Sequence, residues 1–285
     1  VAIEEGYFAD EGIDLTLITG FGADKVLTAM ISGEADIGFM GAEATVYAYL
    51  EGTADPVVNF AQLTQRAGNF VVGREKDNSF TWEKLKNKEV LGGRKGGMPE
   101  MVFEYVLAQK GIDKKDVNIN QSIDFGSTAA AFSGGQGDFT VEFEPHATSL
   151  EAQQTGYIVA SLGTDSGYVP YTAFCARKSY YADHADTLQH FTNALQKGMD
   201  YTATHSAQEI ASIIQPQFKE TDLDTITTIV TRYQCQDTWK TDLIFEQSSF
   251  ELLENILMEA GELDSFVPYN ELVDTSYAQK AIADK

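Results

Sequence analysis

Apolar positions along the chain fall first into short runs separated by helical stretches, and later into helical periodicity alone. Ile13–Ile18 reads as a strand, Ala23–Ile31 as a helix, Ala35–Met40 as a strand and Ala44–Leu50 as a helix. Val57–Leu63 and Phe70–Val72 are again strand-like. Such alternation predicts βαβ units and a mostly parallel sheet. A second region opens at Trp82–Lys86 and continues through strand Val90–Gly92, helix Met101–Gln109 ending at Gly111, and strand Val117–Ile123. Helix Ser127–Phe132 and strand Tyr157–Ala160 follow, and Tyr171–Arg177 brings the chain back. Beyond Ala185 the apolar residues Leu188, Phe191, Leu195 and Met199 keep a helical spacing, as do Phe250, Leu253, Ile256 and Leu257. This tail is expected to pack as helices on the first region.

One phrase occurs twice. Ala29–Ala44 reads AMISGEADIGFMGAEA and Ala131–Ala147 reads AFSGGQGDFTVEFEPHA, so that Ala29, Gly33, Asp36 and Ile37 align with Ala131, Gly135, Asp138 and Phe139. Each copy reads as the end of a helix, a Gly/Asp turn, a short strand and a new helix. The repetition predicts two similar α/β lobes facing a shared crevice: residues 1–70 with 173–285 in the first, and 71–172 in the second. A hinge of two chain passes is expected near Gly68–Val72 and Pro170–Phe174.

Composition narrows the partners. A chain of 285 residues with 43% apolar and 22% charged residues can bury a substantial core. Its 20 basic against 43 acidic residues leave a formal charge of −23, which argues against nucleic acid and anionic membrane surfaces. The two cysteines, Cys175 and Cys235, form no zinc-like cluster, and Cys175 reads as an inert thiol in a buried strand. No apolar run reaches the roughly 20 residues that span a bilayer. The opening Val1–Phe8 reads as the last turns of a helix ending near Gly6, with a leader and a first strand expected ahead of it.

In open α/β sheets, ligands sit beyond the strand ends, where helix N-termini present free N–H groups. The chain offers five such corners: Gly20-Phe21-Gly22, Gly41-Ala42-Glu43, Gly96-Gly97-Met98-Pro99, Phe125-Gly126-Ser127-Thr128 and Glu142-Phe143-Glu144-Pro145. Candidate ligand contacts are therefore Phe21, Gly22, Gly41, Ala42 and Glu43, with Gln62 and Tyr171 at the ends of neighbouring strands. From the second region they are Lys95, Gly96, Gly97, Met98, Phe125, Gly126, Glu142 and Glu144. The run Gly92–Gly97 lacks the order of a phosphate-binding loop, because no Ser/Thr follows a Gly-Lys pair. Glu43, Glu142 and Glu144 read equally well as helix-capping carboxylates or as groups facing a ligand that carries donors or positive charge. The histidines His146, His184, His190 and His205 are scattered, and no nucleophile–base pattern appears, so neither catalysis nor a metal or cofactor is expected.

The opening AIEEGYFADEGIDLTL (Ala2–Leu17), GFGADKVLTAMISGEADIGFMGAEA (Gly20–Ala44), GGRKGGMPE (Gly92–Glu100) and GDFTVEFEP (Gly137–Pro145) together carry a family resemblance. The chain resembles solute-binding proteins of ABC importers, of the nitrate/sulfonate/taurine and thiamine-pyrimidine-precursor binding family, which have a type II periplasmic-binding-protein fold. The resemblance implies a two-lobe α/β receptor, monomeric, outside the cytoplasm or lipid-anchored at the outer face of the membrane. Such a receptor closes on a small solute and delivers it to a membrane permease. Glu43 and Glu144 depart from the uncharged donors of sulfonate and nitrate binders and suit a planar, nitrogen-containing solute such as a pyrimidine-type compound. Two alternatives stay open: an alkylsulfonate, taurine or nitrate binder, and a pyrimidine-precursor synthase on the same fold, whose cysteine-rich motif this chain lacks. A ligand-responsive regulatory domain is a third reading, weakened by the absence of a DNA-binding segment.

Overall fold

The computed structural model describes residues 1–283, with the Phe125 side chain outside the described residues. Its strands are β1 (Ile37–Gly41), β2 (Val57–Thr64), β3 (Asn69–Gly73), β4 (Glu89–Leu91), β5 (Asn118–Asn120), β6 (Phe139–Phe143), β7 (Tyr157–Ser161) and β8 (Thr172–Arg177). The backbone divides into two compact units. The first comprises Val1–Gln65, Pro170–Leu253 and Phe266–Lys285, and the second Arg66–Val169 with Glu254–Ser265. The sequence places the tail wholly with the first region, yet Glu254–Ser265 groups with the second. The helix Gln247–Ala260 carries residues of both units.

The sheet of the first unit has the order β1-β8-β2, and both pairings are antiparallel, from Ile37↔Ala176 to Gly41↔Thr172 on one side and Val57↔Arg177 to Thr64↔Thr172 on the other. This corrects the expectation of a mostly parallel sheet. β1 and β2 do run the same way, as a βαβ unit requires, but the returning strand β8 lies between them. Ile13–Ile18 carries no assigned strand. Its inner residues Ile13 and Leu15 pack on the core, whereas Leu17 and Ile18 are 68% and 76% exposed. Without a neighbouring strand its apolar alternation forms no ladder. Nor does the opening helical segment stop at Gly6: that residue is left-handed (φ 77°) and leads into the helix Tyr7–Asp10.

The core of this unit is built on Phe60, 1% exposed, whose ring meets those of Phe174, Tyr181, Phe191 and Tyr277. The helical spacing of the tail does what it predicts: helix Ala185–Thr204 buries Leu188, Phe191, Leu195 and Met199 on that cluster. A smaller cluster joins Met30, Met40, Val57 and Cys175. Burial pushes the Cys175 thiol far above its ordinary pKa, so it is the inert core thiol expected from its apolar surroundings. Cys235 is exposed at the end of the helix Leu223–Cys235.

The second unit has the sheet order β5-β4-β6-β3-β7. β4 pairs in parallel with β5 and β6, while β3 is antiparallel to both β6 and β7, so this sheet is mixed and again not mostly parallel. The predicted strand Val117–Ile123 shortens to Asn118–Asn120, because Asn120 turns the chain by accepting from the Ser122 amide and hydroxyl. Arg74, just past β3, clamps the turn before β6. Its guanidinium donates to the carbonyls of Phe132, Gln136 and Gly137 and stacks 3.6 Å from the Phe132 ring centroid.

The repeated phrase forms one such motif in each unit. Helix Ala23–Ser32 ends at Gly33, left-handed at φ 81°, before β1; helix Thr128–Ser133 ends at Gly134 and Gly135 before β6. Helices Glu43–Leu50 and His146–Ala152 then follow. Among the described residues no helix is long and apolar enough to cross a membrane.

Candidate functional site

All five corners read from the sequence precede helices: Gly22, Ala42, Gly97, Ser127 and Pro145 are the respective N-cap residues. In the first unit, pairing of Gly41 and Thr64 with Thr172 brings the end of β1, the end of β2 and the start of β8 side by side. The Thr64 and Thr172 hydroxyls share a 2.5 Å hydrogen bond, and the Tyr171 amide donates to the Thr64 carbonyl. Glu43, 2% exposed, folds its carboxylate back over the strand end. A Cβ on Gly41 would sit 2.1 Å from its Oε2, so only glycine allows this close approach. Behind it, buried Asn59 donates to the Thr45 hydroxyl and the Leu272 carbonyl, fixing the first turn of helix Glu43–Leu50.

Tyr171 is buried here too. Its phenol is pushed well above its ordinary pKa, first by burial and then by the negative charge of Glu43. Gln62 is 2% exposed; its Nε2 donates to the Thr64 carbonyl while its Oε1 takes no hydrogen bond from the described residues. Gly41, Ala42, Glu43, Gln62 and Tyr171 therefore gather at one strand-end corner, with Ala42 buried as packing. Phe21 and Gly22 occupy the start of helix Ala23–Ser32, where Phe21 is 72% exposed and left-handed at φ 57°. An apolar ring so placed contributes little to the core.

In the second unit the parallel strands β4, β5 and β6 lead to one sheet edge, and β3, antiparallel to β6, begins there. The edge thus collects the Gly92–Gly97 loop, the Gly126 turn and the Glu142–Pro145 corner. Three expectations about it are altered by the geometry. Lys95, whose side chain is 68% exposed, pairs at 3.3 Å with Glu262. The Gly96 amide donates to Glu100, a buried carboxylate that sequence reasoning passed over, and Gln121 donates to the same group. A loop that already receives an internal carboxylate is poorly suited to a second anion. Met98 is 1% exposed and serves the core, so its helix-start position is what the sequence signalled, and not a contact surface. The signal for Glu100 was present in its position one turn after Gly96.

Glu144 caps the next helix. Its two oxygens accept from the Thr148 amide and the Thr148 hydroxyl, both at 2.9 Å. The helix-capping alternative therefore describes this carboxylate. Glu144→Ala is expected to cost about 1 kcal/mol of stability, read as a lower midpoint in urea; an unchanged midpoint would show the cap to be idle.

Glu142 behaves differently. It is fully buried on β6, Oε1 accepts the Thr140 hydroxyl at 2.6 Å, and Oε2 takes no hydrogen bond from the described residues. Burial raises its pKa to about 7, against the opposing help of the Thr140 and Thr128 hydroxyls. Burial raises Glu100 to about 7 as well, reinforced by neighbouring Glu104. Gly126 is exposed beside the Phe125 position, whose side chain lies outside the described residues. Among the described residues no group of histidine, cysteine, aspartate and glutamate has the arrangement of a metal site.

The family model described as NMT1/THI5 like matches residues 1–209. The chain belongs to this family. A curated relative, the putative binding protein YtlA of Bacillus subtilis (strain 168), is 43% identical over 286 residues, covering 100% of this chain and 86% of the relative. Among solved structures, the alkanesulfonate-binding protein SsuA of Xanthomonas axonopodis pv. citri, bound to MOPS, is similar with a TM-score of 0.78 at 15% identity. It covers 96% of this chain and 93% of its own. The periplasmic nitrate-binding protein NrtA of Synechocystis PCC 6803 has a TM-score of 0.77 at 14% identity, covering 99% and 84%. The fold is thus that of periplasmic binding proteins, and the relatives are named as binding proteins.

Proposed function

We propose that the chain is the extracytoplasmic receptor of an ABC importer, without catalytic activity. It binds a small polar solute at the strand-end corners and hands it to a membrane permease. The observation that carries this reading is the 43% identity, along the whole chain, to a relative named a putative binding protein. The paired helix–turn–strand–helix motifs agree with it, since strand ends followed by helix starts are where open α/β sheets hold ligands. The receptor works as a monomer, secreted or held by a lipid anchor.

The solute we favour is planar and nitrogen-containing. Glu142 is buried and its Oε2 takes no hydrogen bond from the described residues, which suits a partner with N–H donors, and Glu100 already takes the Gly96 amide that an anion would use. The names of SsuA and NrtA favour a second reading, a sulfonate or nitrate binder. A thermal-shift screen of pyrimidines, amines, sulfonates and nitrate separates them. A solute present at 100 times its Kd stabilises the folded chain by about 2.7 kcal/mol, which corresponds to a melting shift of several degrees. A chain that responds to no solute in such a screen is not this kind of receptor.

A further inference from the structure

The other buried amide side chains among the described residues are at least partly engaged. Asn59 donates twice, Gln62 once, Gln189 to Asn193 and the Tyr277 carbonyl, and Gln196 to Asp200 and the Thr241 carbonyl. Asn69 is the exception. Its side chain is 0% exposed, and neither Nδ2 nor Oδ1 has a hydrogen-bond partner among the described residues. A buried amide left in this state is destabilising, so an apolar residue would be the stabler choice if packing were the only purpose.

The position of Asn69 is equally specific. It is the first residue of β3, directly opposite Phe143, the last residue of β6. It therefore lies at the edge of the second unit's sheet to which β4, β5 and β6 all lead. One step along the register Phe70 opposes Glu142, so Asn69 and Glu142 project from opposite faces of the sheet. On its own face this strand end holds an unused amide NH2 and an unused carbonyl oxygen, both on Asn69.

The geometry points to Asn69 as a specificity-determining residue of the second unit, reading a solute that presents an acceptor beside a donor, as an amide or an aminopyrimidine does. The inference rests on the receptor reading and deepens it. Chemistry excludes the acceptor-only alternative at this position. A sulfonate or nitrate satisfies the Asn69 NH2 but sets lone pairs against its carbonyl oxygen. A nitrogen heterocycle with an exocyclic amine satisfies both ends of the amide, because ring nitrogen and amine lie side by side in one plane, as the amide's own atoms do.

The test uses the full chain, with cytosine and 4-aminopyrimidine as donor-and-acceptor probes, acetamidinium as a donor-only probe, and methanesulfonate and nitrate as acceptor-only probes. Calorimetry and thermal shift are read on the wild type and on Asn69→Leu and Asn69→Asp. The expected result is selective binding of a donor-and-acceptor probe. Asn69→Leu then weakens it about ten- to a hundredfold, while the ligand-free melting temperature is held or raised. Asn69→Asp, which retains only acceptors, weakens cytosine and strengthens acetamidinium, a split that a purely structural residue does not produce. Unchanged affinity in Asn69→Leu overturns the inference, since a bound water then satisfies the amide. Binding of nitrate or methanesulfonate with no donor-and-acceptor probe bound also overturns it, yet leaves the receptor reading standing. Failure of every solute in the wider screen removes the receptor reading itself.

Discussion

Replacing Phe60 by alanine is expected to cost the protein about 3–5 kcal/mol. The ring is fully enclosed and meets four others: Phe191 at 6.0 Å between centroids, Tyr181 and Tyr277 at 6.3 Å and Phe174 at 6.5 Å. Those partners come from β8 and from the helices Lys178–Asp183, Ala185–Thr204 and Ser276–Ala283. One side chain thus ties strand β2 of the first unit to three helices that come after it in sequence. Deleting the ring leaves a cavity whose walls belong to different segments and cannot close together. Guanidinium unfolding followed by tryptophan fluorescence measures the loss, because Trp239 belongs to the first unit and Trp82 to the second. A drop of less than about 1 kcal/mol would mean that the aromatic cluster does not hold this unit together.

Stability is also expected to fall as the pH rises from 5 to 8. Glu142 and Glu100 each have a folded pKa raised from 4.5 to about 7, chiefly by burial. The folded chain then binds more protons than the unfolded chain between those values. Their contribution is fully present below pH 4.5 and is lost as the pH climbs through about 7. At about 1.4 kcal/mol per pH unit of difference, the two carboxyls together contribute on the order of a few kcal/mol. Urea denaturation at pH 5 and pH 8 measures the slope, and Glu142→Gln is expected to flatten it while keeping an oxygen for the Thr140 hydroxyl. A wild-type midpoint that stays level across this range contradicts the assignment.

Much of the fold was legible because its signals are local. Gly33 and Gly135 stop helices before strands, and Leu188, Phe191, Leu195 and Met199 mark a helix face wherever the rest of the chain lies. Sheet order is not local. No spacing within Val57–Leu63 or Tyr171–Arg177 reveals that β8 lies between β1 and β2, so βαβ alternation suggested parallel neighbours where antiparallel ones occur. Ile13–Ile18 has the alternation of a strand, but a strand is completed by a neighbour that its own residues do not specify.

The candidate site was legible as a set of corners and not as a set of bonds. Glu43, Glu142 and Glu144 look alike in sequence. One folds back over Gly41, one lies buried with an open oxygen, and one grips Thr148, differences decided by strand register and by the neighbours that the fold brings to each carboxylate. Asn69 escaped notice because a single asparagine in an apolar run resembles any strand start. Only the count of its hydrogen bonds sets it apart.

The insertion of β8 between β1 and β2 bears on the order of assembly during synthesis. Ile37 must wait for Ala176, and Val57 for Arg177, before either can join a ladder. By the time those partners leave the ribosome, Arg66–Val169 has already emerged and can settle into its own five strands. The nascent chain can therefore form the five-stranded sheet of the second unit while the sheet of the first still lacks its middle strand. Long-range closure of this kind is slow, which makes the exposed edges of β1 and β2 the stretch that a chaperone has most reason to shield.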